Sequence, residues 1–167
     1  RIIDAMMALL AEQSFPRIGL ADIATAADVS IAALREQFDG KLGILAAFMR
    51  RIDLVVLAGE PPDMDAGPRD RLFEAEMRRF DALAPYKAAI VSLARSARCD
   101  PALACAIHRL AARSQKWTLV AAGIHHGGLL GRIGLEGAVL IHAETTRIWL
   151  EDDDPDLART MGALDRA

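Results

Sequence analysis

Cysteine is scarce in this chain: Cys99 and Cys105 are the only two, too few for a disulfide framework, so a reducing, cytoplasmic compartment is expected. Aromatic residues make up only 5%, while Ala, Leu and Arg abound, which favours helix over strand. Uninterrupted apolar runs of membrane-spanning length are missing, as is a signal peptide, so no membrane partner is expected. Metal-ligand spacing is missing too. His108 sits between Ile107 and Arg109 on a helical stretch, and His125-His126 stands in a glycine loop without Cys or carboxylate partners. With no nucleophile, base or metal constellation, the sequence points away from an enzyme, and no cofactor is expected.

What remains is a packed globular protein, 53% hydrophobic and 26% charged over 167 residues. The net charge of −3 is unevenly distributed. Residues 1–51 balance Arg1, Arg17, Arg35, Lys41, Arg50 and Arg51 against Asp4, Glu12, Asp22, Asp28, Glu36 and Asp39, so the whole excess lies further along. Helical periodicity is already running at Arg1, and residues upstream of it are expected.

Ile2, Ile3, Met6, Leu9 and Leu10 form a helical stripe closed by Ser14-Phe15-Pro16, where proline prevents continuation. Leu20 to Ala27 forms a second short helix, with Leu20, Ile23, Ala24 and Ala27 on its apolar face. Asp28-Val29-Ser30 follows: Asp tolerates a left-handed turn, and Ser30 is a strong N-cap for a third helix over 31–38. Asp39-Gly40 then precedes a fourth helix from Lys41 to about Ala58. Short helix, tight turn and capped short helix make a helix-turn-helix layout. Residues 59–67 read as a linker. Beyond them Pro68, Pro85 and Asp100-Pro101 open helices five to seven, His125 to Gly134 reads as a loop, helix eight is expected over 135–150, and Asp154-Pro155 launches a ninth.

The run Asp22-Ile23-Ala24-Thr25-Ala26-Ala27-Asp28-Val29-Ser30, with Leu34, Phe38 and Lys41, resembles the DNA-binding head of TetR-family transcriptional regulators. The resemblance implies an all-α, TetR-like fold: a three-helix head over 1–51, and a ligand-binding and dimerisation domain over 52–167. It implies a ligand-responsive repressor that binds double-stranded operator DNA as a homodimer and answers to a small apolar effector. Ser30 would present the amide groups of the third helix to a phosphate. Ile31, Ala32 and Ala33 would meet thymine methyl groups in the major groove, Arg35, Glu36 and Gln37 would supply polar reach, and Lys41 would hold a phosphate. Three positions depart from the family pattern. Arg35 stands where an aromatic is usual, Gln37 where histidine or tyrosine is usual, and Asp28 where the turn glycine is usual.

For the body, Phe73, Met77, Phe80, Tyr86, His108 and Trp117 are the candidate effector contacts, being the large or polar-tipped residues of helices five to seven. Val139, His142, Thr146 and Trp149 recur at helical spacing and are expected near a dimer axis, with Leu157, Met161 and Leu164 beside them. The stretch from Trp149 through Asp154-Pro155 to Leu164 is also similar to the end of a TetR-fold accessory family of ubiquinone biosynthesis. That similarity implies an alternative, an isoprenoid-binding protein that does not read DNA.

Overall fold

The structure, a computed structural model, describes residues 1–124, 127–154 and 156–166, apart from the side chains of residues 129 and 130. All regular structure among them is helical: α1 (Ile2–Glu12), α2 (Leu20–Ala26), α3 (Ile31–Gln37), α4 (Lys41–Leu57), α5 (Pro68–Leu83), α6 (Lys87–Arg98), α7 (Pro101–Ala121), α8 (Gly128–Leu150) and α9 (Ala158–Arg166). Two compact units result. Residues 1–51 and 85–110 form the first, and residues 52–84 and 111–167 form the second, so α4 and α7 contribute to both.

In the first unit α1 packs chiefly against α6. Its stripe of Ile2, Met6, Met7 and Leu10 is buried, as are Ile23, Leu34, Ile44 and Phe48 from the next three helices. Burial of each such side chain contributes about 1.5–3 kcal/mol. The chain leaving α1 is pinned to α6 by polar contacts that hydropathy does not reveal. Ser96 Oγ accepts from the Phe15 amide at 3.1 Å, and Ser92 Oγ donates to the Gln13 carbonyl at 2.9 Å.

The second unit is built around a buried cation. Arg79 of α5 is 0% exposed and donates to Asp53 of α4 at 2.8 Å, to Ser114 at 2.7 Å, and to Thr118 at 3.1 and 2.7 Å, the last two residues on α7. A guanidinium tolerates full burial only when its N–H groups are satisfied and its charge is paired. On the other side of α5, Phe80 packs at 5.5 Å from Trp149 and stacks at 5.6 Å on His142, both from α8. Arg71 ties down the end of α7 by donating to the Ala122 carbonyl at 2.9 Å.

Four expectations change here. Helix eight opens at Gly128, seven residues earlier than expected, and carries Gly131, Gly134 and Gly137 within it. Glycine costs about 1 kcal/mol in a helix interior, but extending an existing helix is cheap compared with nucleating one; His125 and His126, expected in the loop, lie outside the described residues. Helix nine begins at Ala158, after Leu157 in left-handed conformation (φ 51°), so Asp154 is not its cap. Asp152 serves instead, accepting from the Thr160 amide at 2.8 Å and hydroxyl at 2.7 Å; Pro155 lies outside the described residues. Trp117, expected among the effector contacts of helix seven, is 49% exposed and Val120 is 42% exposed, while Ser114, Gln115 and Thr118 are buried. Finally, Val139, His142 and Trp149, expected near a dimer axis, are at most 8% exposed, and His142 and Trp149 pack against Phe80 of α5.

Removing Arg79 alone should be severe, because Asp53 is then left buried and unpaired. Arg79→Met should cost about 3–5 kcal/mol, and Asp53→Leu in the same chain should recover much of it; urea unfolding of both single variants and the double would show the coupling. A second expectation concerns pH. Burial pushes the Asp152 carboxyl up, but hydrogen bonds from Thr160 and Asp154 and the charge of Arg159 outweigh it and hold it below its ordinary value. A depressed carboxylate contributes stability that is present above the unfolded value, about 3.9, and is lost as pH falls through the folded one. The stability difference between wild type and Asp152→Ala should therefore be about 1–3 kcal/mol at pH 7 and should shrink below about pH 4.

Candidate functional site

On the surface of the first unit, α2 and α3 present side chains that do not pack against the core. The α2 chain stops at Ala27, and Asp28 turns it with φ 52°, the left-handed conformation that glycine normally supplies. Val29 then bonds back to Ala24 at 3.0 Å, and Ser30 caps α3 by accepting from the Ala33 amide at 3.1 Å. At the other end of α2, the Asp22 carboxylate accepts from the Gly19 amide at 2.8 Å. Both short helices are thus fixed at their starts, and Leu34 anchors α3 in the core.

That anchoring directs the remainder of α3 outward. Ile31 is 51% exposed, Ala32, Arg35, Glu36 and Gln37 are exposed, and Ala33 is half-buried. An isoleucine half in water at the start of a capped helix gains nothing from packing. Arg35 pairs with Asp39 at 2.6 Å on the open surface, and Gln37 Nε2 reaches the Ala33 carbonyl at 3.4 Å. Lys41 behaves differently. Its Nζ donates to the Phe15 and Ile18 carbonyls, both at 2.8 Å, and sits 4.3 Å over the Phe15 ring, so it fastens α4 to the turn after α1. Burial lowers its pKa.

The second unit holds most of the other candidate groups, and the six expected effector contacts do not gather in one cavity. Phe73 lines a largely apolar cavity of about 340 Å³, together with Leu72, Leu119, Gly137, Ala138 and Ile141. Met77 is half-buried, Phe80 belongs to the core, and Trp117 faces outward. Tyr86 and His108 belong to the first unit, where Tyr86 meets the Phe48 ring edge-on at 4.9 Å and His108 is exposed. Among the proposed dimer contacts, Thr146 and Met161 are half-buried, Leu157 likewise, and Leu164 is buried. The outward row of α8 is instead Ile133, Glu136, Leu140, Ala143 and Arg147.

Sequence reasoning missed a buried polar cluster on α5, α7 and α8. Glu76, 1% exposed, accepts or shares a proton with His142 Nδ1 at 2.8 Å, and Thr146 Oγ1 lies 3.4 Å from the other ring nitrogen. Burial pushes the Glu76 carboxyl up, but His142, Arg79 and Gln115 together outweigh it and keep it below its ordinary value. Gln115 is fully buried, and its carboxamide interacts with the Glu76 carboxylate. A signal existed: Leu72, Ala75, Glu76, Arg79 and Leu83 keep helical spacing as well as the apolar stripe does. The charged members hid it. No group of three or more potential metal ligands occurs among the described residues, and no helix among them is long and apolar enough to cross a membrane.

Comparison with known proteins agrees with this geometry. Residues 2–48 match the family described as bacterial regulatory proteins, tetR family. No curated protein matches the sequence. Among solved structures, a TetR transcriptional regulator from Nitrosomonas europaea ATCC 19718 is 22% identical with a TM-score of 0.74, over 99% of this chain and 92% of that one. A TetR regulator from Rhodococcus sp. RHA1 is 20% identical with a TM-score of 0.61, over 99% and 92%. The transcriptional regulator FadR from Bacillus subtilis, in complex with stearoyl-CoA, is 16% identical with a TM-score of 0.54, over 98% and 94%. Over residues 2–48 the chain is thus similar to the bacterial regulatory proteins of the tetR family, and its helices follow the all-α fold of the solved TetR transcriptional regulators.

Proposed function

We propose that the protein is a ligand-responsive transcriptional regulator, acting as a repressor, whose α3 enters the major groove of operator DNA. The observation that carries this reading is the outward row of α3, Ile31, Ala32, Arg35, Glu36 and Gln37, presented on a helix fixed by the Ser30 cap and the Leu34 anchor. Ile31 and Ala32 suit thymine methyl groups, and Gln37 suits adenine or the backbone. The Arg35–Asp39 pair does not block a phosphate contact, since an exposed pair of this kind is worth only about 0–1 kcal/mol. Phosphate can take the guanidinium from it.

Two major grooves one helical turn apart require two heads, and the outer face of α8 is the surface we assign to pairing. Ile133 and Leu140 are 61% and 67% exposed there. The second unit would take a small apolar effector, a reading supported by its cavity and by the stearoyl-CoA complex of FadR, which shares the fold. An effector shifts regulation only by binding the DNA-competent and incompetent states unequally.

Titrating the full-length protein against labelled duplex from beside its own gene tests the reading. Binding should exceed that to random duplex and weaken steeply with salt. Arg35→Ala should flatten the salt slope by about one unit and leave the melting temperature unchanged, whereas Asp39→Ala should tighten binding. Lys41→Ala should instead lose about 1–3 kcal/mol of folding stability, so its DNA defect should track its melting temperature. A titration indistinguishable from random duplex at low salt would leave the isoprenoid-binding alternative in its place.

A further inference from the structure

We propose that Glu36 is the base-reading residue of α3 and that it selects a cytosine in each operator half-site. This rests on the reading of α3 as the helix that enters the major groove. Leu34 is the buried residue of α3 and fixes how the helix is turned. At about 100° per residue, Ala32 and Glu36 both fall about 160° from Leu34, at the centre of the outward face, one turn and about 6 Å apart. Ile31 and Arg35 fall on one flank of that face, Ala33 and Gln37 on the other. The polar flanking side chains are turned aside: Arg35 pairs with Asp39 at 2.6 Å, and Gln37 Nε2 reaches back to the Ala33 carbonyl at 3.4 Å. Ala32 offers only a methyl group, so the polar group at the middle of the face is the Glu36 carboxylate.

The fold does not account for that carboxylate. It is exposed, and the two nearest cations along the chain are engaged elsewhere, Arg35 with Asp39 and Lys41 with the Phe15 and Ile18 carbonyls. Its place in the last turn of α3 sets a negative charge against the negative end of the helix dipole, and on a face turned to DNA the phosphates repel it as well. What it can accept explains why it is there. In the major groove guanine presents O6 and N7 and thymine presents O4, all acceptors that a carboxylate repels. Adenine presents the N6 donor but sets the N7 acceptor beside it, whereas cytosine presents the N4 donor alone. An ionised carboxylate only accepts, so cytosine is the base that matches it.

Selection of duplexes from a randomised library by the full-length protein tests this, followed by affinity measurements at fixed salt, with Glu36→Gln and Glu36→Ala beside the wild type. The wild type should enrich one C·G pair in each half-site, and exchanging that pair for T·A should weaken its binding by about tenfold. Glu36→Gln should turn the preference at that position to adenine, which takes a glutamine side chain on N6 and N7, and leave the rest of the site unchanged. Glu36→Ala should bind the C·G and T·A duplexes within about twofold of each other. Both variants should melt with the wild type, since the side chain is exposed, which separates altered preference from misfolding. The same enriched sequence from the wild type and both variants would overturn the assignment and leave α3 as the groove-entering helix. Tighter binding of both variants to that same sequence would overturn it too, making Glu36 a charge that only restrains contact with phosphates. No enriched sequence from the wild type at low salt would overturn both the assignment and the regulator reading beneath it.

Discussion

A single guanidinium sets the geometry of the second unit. Arg79 is completely buried, and a buried Arg with unmet donors or an unpaired charge costs several kcal/mol. The helices around it are consequently rotated to serve it. Ser114 and Thr118 of α7 both bond to Arg79, and at 100° per residue they define a narrow face of that helix. Gln115 and Ala122 lie on one flank of that face and are buried, Trp117 lies on the other flank and is exposed, and Arg113, Lys116 and Val120 point away from the face and are exposed.

The same rotation explains what could be read from the sequence. In the head, apolar spacing and the structural core coincide: Ile23, Ala24 and Leu34 are buried, Ser30 caps α3, and Asp28 takes the left-handed turn. Local rules sufficed there because each short helix is fixed by its own cap and its own anchor. In α5, α7 and α8 the buried faces carry Glu76, Arg79, Ser114, Gln115, Thr118 and His142. Periodicity of hydrophobic residues cannot find a face whose members are polar and matched only by residues far along the chain. The start of α8 was hidden for another reason, since its glycines read as a loop and only the completed helix shows them in register.

Lys41 illustrates how a residue in a recognised motif can serve the fold as much as the surface. The resemblance marks it as a phosphate contact, yet two of its three N–H donors are committed to backbone carbonyls at 2.8 Å and its charge lies over an aromatic face. It closes the C-terminal side of the turn after α1, so α4 begins at a fixed point. Arg35 is the contrasting case. Its partner Asp39 is on the open surface and easily exchanged, which leaves Arg35 the more available cation for DNA although the family pattern places an aromatic there.

The polar interior of the second unit is costly in stability. Replacing a buried ion pair and its hydrogen-bonding neighbours with well-packed apolar side chains is commonly neutral or stabilising. A body that served only to fill space would be at least as stable with an apolar pair at Asp53 and Arg79. Stability is given up at positions that lie on the same helices as the apolar cavity, one and two turns along from its lining. A fully connected set of buried polar groups specifies how α5, α7 and α8 meet, because a wrong packing leaves its members unmatched, and that specification is what an apolar wall of Leu72, Phe73 and Leu119 cannot supply by itself.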